Sequence, residues 1–187
     1  YAMARSNTTG PIRFVCLTDD VAGIRNEVEC LDCPTIPLPE PRSRLGWRKL
    51  NLYRSSEHLF GLTGDWLYLD LDVVITGSLD AFFEYETDKM FVVMKNWTQP
   101  NSGIGNTSVY RFRVGHDEYL YDDLVSDYQN IFSKFPNSQT YISRSIEEIS
   151  FWPDDWCLLF KTHCVPAWPF RFWQEPYLPK MARVVAF

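Results

Sequence analysis

The stretch Trp66-Leu67-Tyr68-Leu69-Asp70-Leu71-Asp72-Val73-Val74-Ile75 decides the fold. An apolar run ending in three β-branched residues predicts a buried strand, closed by Gly77-Ser78. Two carboxylates, Asp70 and Asp72, lie inside it. Residues i and i+2 of a strand point to one face, so the pair is expected to converge on one ligand. Two uncompensated carboxylates in a low-dielectric setting are costly. A divalent cation is the usual compensation, and oxygen-only ligands suit the hard ions Mg²⁺ and Mn²⁺. The alternative is a strand end whose acids are solvated or cap the next turn.

Moving outward, Ser78 is expected to cap a helix over Leu79 to Phe83, with Asp80 in its first turn. On the other side, Ser43-Arg44 opens a helical pattern. Leu45, Leu50, Tyr53 and Leu59-Phe60 make its apolar face, with Arg48, Lys49, Asn51 and Arg54 between them. Further strands are expected at 12–17, 28–30, 90–94, 106–112, 157–161 and 182–187, and helices at 1–6, 119–134 and 141–149. Pro34 to Pro41 and Pro166 to Pro179 are proline-rich loops. Strands alternating with helices, and carboxylates at a strand's C-terminal end, describe an α/β sandwich with its ligand outside the carboxyl ends of the strands.

A length of 187 residues predicts one domain, residues 1–187, with a sizeable core. A net charge of −6 argues against a general nucleic-acid binder, which needs a basic footprint. No apolar run approaches the roughly 20 residues of a membrane span, and no signal peptide is visible at this N-terminus. Five cysteines, an odd number without a secretory segment, favour reduced thiols and a cytoplasmic location. Cys30-Leu31-Asp32-Cys33 has redox or zinc spacing, but Pro34 follows where a redox motif starts a helix.

Lys49 on a helix, Asp70-Leu71-Asp72 about twenty residues later, Gly77, and an Asn106-Thr107-Ser108-Val109 strand follow in an order that resembles the GT-A glycosyltransferases. Within them the pattern resembles the retaining, family 8-like group that includes glycogenin and bacterial galactosyltransferases. The resemblance covers most of the chain. It implies a GT-A, Rossmann-like mixed sheet flanked by helices, here lacking its first strand before Tyr1 and a C-terminal tail after Phe187. It implies a metal-dependent transfer of a sugar from a nucleotide diphosphate sugar, a UDP-sugar first among them, to an acceptor hydroxyl of an unknown partner such as a glycan, with retention. Asp70 and Asp72 would hold Mn²⁺ or Mg²⁺ and the donor. Lys49 would contact the donor, Thr18 and Asp19 would lie near the nucleotide, and Asn106 and Ser108 would form the wall around the sugar. Gln139 would sit near the anomeric carbon. The residues depart from the group's pattern in two places. Ser138 stands where an acidic partner of Gln139 is expected. The third metal ligand, a late His, is expected beyond Phe187, with His163 as the alternative inside the chain.

Two other readings fit the central stretch. Haloacid-dehalogenase-like phosphatases carry an apolar strand followed by a similar acid pair, with Asp70 then a nucleophile and Asp72 a general acid. A non-catalytic nucleotide-sugar or carbohydrate binding module is the third. The aromatic segment Trp168-Pro169-Phe170-Arg171-Phe172-Trp173 is expected either to stack on an acceptor sugar or to pack as core or lid.

Overall fold

The computed structural model describes residues 1–44 and 46–187; Leu45, assigned above to an apolar helix face, lies outside the described residues. A short helix α1 (Ala2–Ser6) precedes a parallel pair, β1 (Val15–Thr18) and β2 (Glu29–Asp32). Three 3₁₀ segments follow at Arg42–Arg44, Gly46–Tyr53 and Ser56–His58. Then come β3 (Asp65–Leu69), β4 (Val73–Ile75), α2 (Asp80–Glu84), β5 (Phe91–Lys95) and β6 (Gly105–Arg113). Helices α3 (Tyr119–Ser126), α4 (Tyr128–Lys134) and α5 (Ser138–Ser145) lead to β7 (Ser150–Phe151), β8 (Cys157–Leu159) and β9 (Val184–Ala186). The large sheet runs β3-β6-β5-β7 and the small one β4-β9-β8. Both mix parallel and antiparallel pairs. No helix among the described residues is long and apolar enough to cross a membrane.

The large sheet is buried on both faces, and the strand period sorts its side chains. Phe91, Val93, Tyr110 and Phe112 face one core with Leu50, Tyr53, Leu120, Leu124 and Ile142 of the helical layer. Val92, Met94 and Val109 face a second core with Phe82 and Trp152. This is why β5 reads as four consecutive apolar residues rather than an alternation.

Four local expectations are corrected. The central stretch is two strands, β3 and β4, in different sheets, and the acids flank the turn between them. The Lys49 segment is 3₁₀ rather than α-helical. The helix expected over 119–134 breaks at Asp127, whose backbone leaves the helical region at φ −143° and ψ 52°. Ser126-Asp127 offers side chains that compete with the helix backbone, and Ser126 Oγ donates back to the Asp123 carbonyl. Ser78 does not cap α2; instead the Asp80 carboxylate accepts the Thr9 N–H at 2.9 Å.

Two positions hold the double core together. Arg111 points to the second core and is 2% exposed. Among the described residues it pairs with no carboxylate but donates to the carbonyls of Phe82, Tyr85, Glu86 and Lys89 at 2.6–3.0 Å, gathering the end of α2 and the turn after it. Burial pulls its guanidinium pKa down. Gly105 opens β6 where β5 carries a bulge between Val93 and Met94, and a Cβ there would lie 2.4 Å from the Val93 Cγ1. Arg111→Met is expected to leave these carbonyls without their donor and to cost about 3 kcal/mol or more. Gly105→Ala is expected to cost about 1–3 kcal/mol through overpacking. Urea midpoints at constant m-value measure both, and an unchanged midpoint for Arg111→Met would remove it from the framework.

Candidate functional site at the Asp70–Asp72 turn

The site begins where β3 runs out. Beyond Leu69, paired with Val109, the Asp70 N–H still donates to the Ser108 carbonyl at 2.9 Å. Leu71 then stands 99% exposed at the tip of a turn. The Asp72 carbonyl accepts the Phe187 N–H at 3.1 Å, and Val73 enters the small sheet opposite Ala186. Asp70 therefore completes the large sheet and Asp72 begins the small one. The period of one strand therefore does not set their relative orientation.

Asp70 is the most heavily bonded group of the site. Lys49 Nζ lies 2.8 Å from each of its carboxylate oxygens. The Tyr68 hydroxyl, two residues earlier on the same strand face, donates to Oδ1 at 2.7 Å. Lys49 also donates to the Thr107 carbonyl at 3.0 Å and stands 4.9 Å from the centre of the Tyr68 ring. It is aimed there because Trp47, Leu50 and Tyr53 of the same 3₁₀ segment are buried in the first core. Lys49 and Asp70 are about one-fifth exposed, too sheltered for solvent to screen the pair fully. Asp72 is exposed, and its carboxylate has no polar partner among the described residues.

The remaining expected residues fall around this pair. The Gln139 Oε1 accepts the Thr107 N–H at 3.2 Å, and its own carbonyl accepts the Ser143 hydroxyl, which in turn accepts the Gly105 N–H. The first turn of α5 is thus pinned to the start of β6. Asn137 starts that helix three residues earlier than the apolar pattern indicates, its side chain accepting the Thr140 N–H. Asn106 turns its Oδ1 onto the Ser108 N–H at 2.9 Å. Thr18 closes a local turn with both the N–H and carbonyl of Asp20. Asp19 is held by a two-pronged contact from Arg48 at 2.9 and 3.0 Å. That guanidinium holds the Asp19 carboxyl below its usual range. His163 lies elsewhere, its Nδ1 at 3.0 Å from the Leu159 N–H, with no bond to Asp70 or Asp72 among the described residues.

Sequence reasoning missed three contributors. Arg48 ties the ends of β1 and β2 to the Lys49 segment through Asp19, the Cys33 carbonyl and the Pro34 carbonyl. Tyr68 and the Thr107 peptide were missed as well. The signal for Tyr68 was its i−2 spacing from Asp70. The Thr107 peptide left none. The segment Trp168–Trp173 is not core: Trp168 is 71% and Trp173 75% exposed.

Among the described residues, no three His, Cys, Asp or Glu side chains converge as a ready metal centre. Asp70 and Asp72 offer hard oxygen donors. Such a pair fits an ion that takes one or two carboxylates and fills its other positions with water and substrate phosphates. All five cysteines are free thiols, Cys30 and Cys33 included.

Behind Asp70, burial pushes the phenols of Tyr53, Tyr68 and Tyr110 well above their ordinary range; for Tyr68 the neighbouring Tyr110 and Asp70 add to it. Above about pH 10 the unfolded chain releases phenolic protons that the native chain keeps. Stability is therefore fully present below that pH and falls as pH rises, by up to about 1.4 kcal/mol per pH unit for each phenol. Urea unfolding between pH 9 and 11 reads this slope, and Tyr110→Phe is expected to reduce it by one proton's share.

No family model matches the sequence, and comparison with curated proteins finds no match. Among solved structures, the chain is similar to the galactosyltransferase LgtC in complex with donor and acceptor sugar analogs. The TM-score is 0.54 at 12% identity, over 87% of this chain and 66% of that one. An active-site mutant of LgtC matches equally, with TM-score 0.54 at 11% identity, over 87% and 67%. The chain thus spans about two thirds of LgtC. At this identity the likeness is one of fold alone: a mixed α/β domain similar to the GT-A fold of LgtC, the fold class that the resemblance in the sequence implied.

Proposed function

We propose that the chain is a glycosyltransferase domain, residues 1–187, that moves a sugar from a nucleotide diphosphate sugar to an acceptor hydroxyl. One observation carries the reading. In a fold of the GT-A type, Lys49, Asp70 and Tyr68 form a sheltered charged cluster at the end of β3, one turn from the unpartnered Asp72.

Asp70 and Asp72 would hold Mn²⁺ or Mg²⁺, which when bound offsets the negative charge that builds on the departing diphosphate. Lys49 adds a preorganised cation. Its ammonium is anchored on the Thr107 carbonyl and the Asp70 carboxylate, so it meets a phosphate oxygen without first being ordered. Arg48 and Asp19, locked together beside it, bring the loop after β1 to the nucleotide side. Gln139 has its carbonyl oxygen committed to Thr107, which leaves its amide donors for the sugar. Asn106 and Ser108 flank that peptide. An amide positions or polarises but makes no stable ester with a glycosyl group, so attack on the leaving-group face, with retention, is the reading these residues favour. Five free thiols support a reducing, cytoplasmic setting.

The test is thermal denaturation with UDP, GDP and their sugars, each with and without Mn²⁺. One nucleotide is expected to raise the melting temperature by about 5 °C or more at a hundredfold excess over Kd, only with metal. Asp72→Asn is expected to abolish that rise while leaving the free chain's melting temperature within about 2 °C, since the carboxylate makes no internal bond. No nucleotide response, or hydrolysis of a phosphate ester lost in Asp70→Asn, overturns the proposal.

A further inference from the structure

Three of the five thiols, Cys16, Cys30 and Cys33, lie on or beside the N-terminal strand pair, and all three are half-buried. In the sequence the obvious pair is Cys30 and Cys33. The fold keeps them apart. Cys30 is the second residue of β2, and the Cys33 N–H continues the ladder by donating to the Thr18 carbonyl at 3.2 Å. Three residues of extended chain span roughly 10 Å and put the first and last side chains on opposite faces. A disulfide needs Cα atoms within roughly 7 Å, so these two cannot be bridged while β2 is a strand.

The pair that meets is Cys16 and Cys30. They are direct partners in the parallel register of β1 and β2, so their side chains share a face. It is the face turned away from the first core, because the next residue of each strand, Leu17 and Leu31, packs against that core. Neighbouring strands lie about 4.8 Å apart, inside the roughly 4.4–6.8 Å Cα window of a disulfide. Burial and then the neighbouring Cys30 push the Cys16 thiol up, which fits two sulfurs close together. β1 and β2 also form a two-stranded sheet of their own, with no further strand in its ladder among the described residues. The small inward shift that a bridge requires therefore disturbs no other strand.

We propose that Cys16 and Cys30 are a modification site: a cross-strand thiol pair that a low-molecular-weight disulfide, glutathione disulfide in the simplest case, converts reversibly to a protein disulfide. One cysteine attacks as thiolate, breaks the S–S bond of the oxidant and releases one glutathione thiolate. The other cysteine attacks the protein sulfur of that mixed disulfide and releases the second. Two protein thiols are oxidised to one disulfide, the oxidant is reduced to two glutathione thiols, and the two protein protons pass to them.

The bridge lies just before Thr18 and Asp19. Arg48 already spans the ends of the same two strands through the Asp19 carboxylate and the Cys33 and Pro34 carbonyls. The oxidised chain has β1 and β2 fastened at two levels, by a covalent bond within the strands and by a guanidinium at their ends. The bond forms by thiol chemistry alone and draws on no part of the transferase reading.

The test uses the wild-type chain. It is incubated with glutathione disulfide, alkylated to trap free thiols, and cleaved after Arg and before Asp, which puts Cys16, Cys30 and Cys33 in different peptides. Mass spectrometry is expected to find the Cys16 and Cys30 peptides joined to each other. The bridged chain is expected to melt about 5 °C or more above the reduced one, as a link closing a loop of roughly 15 residues restricts the unfolded chain. Reduced glutathione is expected to reopen the bond and return the melting temperature. Cys30→Ser is expected to leave Cys16 as a mixed disulfide and to cancel the rise, while Cys33→Ser keeps both bond and rise. A Cys30–Cys33 or Cys16–Cys33 bond, mixed disulfides alone in the wild-type chain, a bridged chain that melts no higher, or a bridge that reduced glutathione does not reopen overturns the proposal.

Discussion

The contact between Lys49 and Asp70 is the constraint on which the rest of the site depends. It joins the 3₁₀ segment to two paired strands: the segment supplies the cation, the end of β3 the anion, and β6 the carbonyl that takes the third bond. A sheltered charge is costly alone, and removing either partner leaves the other uncompensated. Each element is thus held where the other two require it. The Thr107 peptide lies past the end of β3, where a neighbouring strand would otherwise take its polar groups. Its carbonyl goes to Lys49 and its N–H to Gln139. Two side chains from the same helical layer take the place of a neighbouring strand, and in doing so they arrive at one place.

The sheet beneath makes this possible by being buried on both faces. Tyr110 stacks on Tyr68 at 4.9 Å behind the carboxylate, and Phe91 and Phe112 continue the layer. On the reverse side Arg111 gathers four carbonyls against Trp152 and Phe82. The site occupies an edge of a rigid double core rather than a mobile loop, and the strands that carry it cannot slip register without moving both cores.

How much of this was legible in the sequence varies with the element. The α/β class, the order of strands and the carboxylates at a strand's end could be read from periodicity and turn residues. The division of the central stretch could not. Leu67, Leu69, Val73 and Ile75 look alike whether they line one strand or two strands of separate sheets, and Leu71 carries no mark of being exposed. The helical break at Asp127 was hidden because Leu124 and Ile131 on either side still reach the same core. Lys49 came into view through family resemblance alone, because a lysine on a helical pattern is by itself a solvated face. Arg48 was invisible because its role lies partly in the backbone carbonyls of distant segments, which side-chain patterns do not encode.

The turn at Leu71 gives the two carboxylates different mechanical allegiances. Asp70 moves with β6 and the large sheet; Asp72 moves with β9 and the small one. The gap between them is therefore a gauge of how the two sheets sit against each other. Anything that grips both acids acts as a clasp across that seam, adding to the packing and to the bond from the Trp97 indole to the Cys157 carbonyl that already couple the melting of the small sheet to that of the large one.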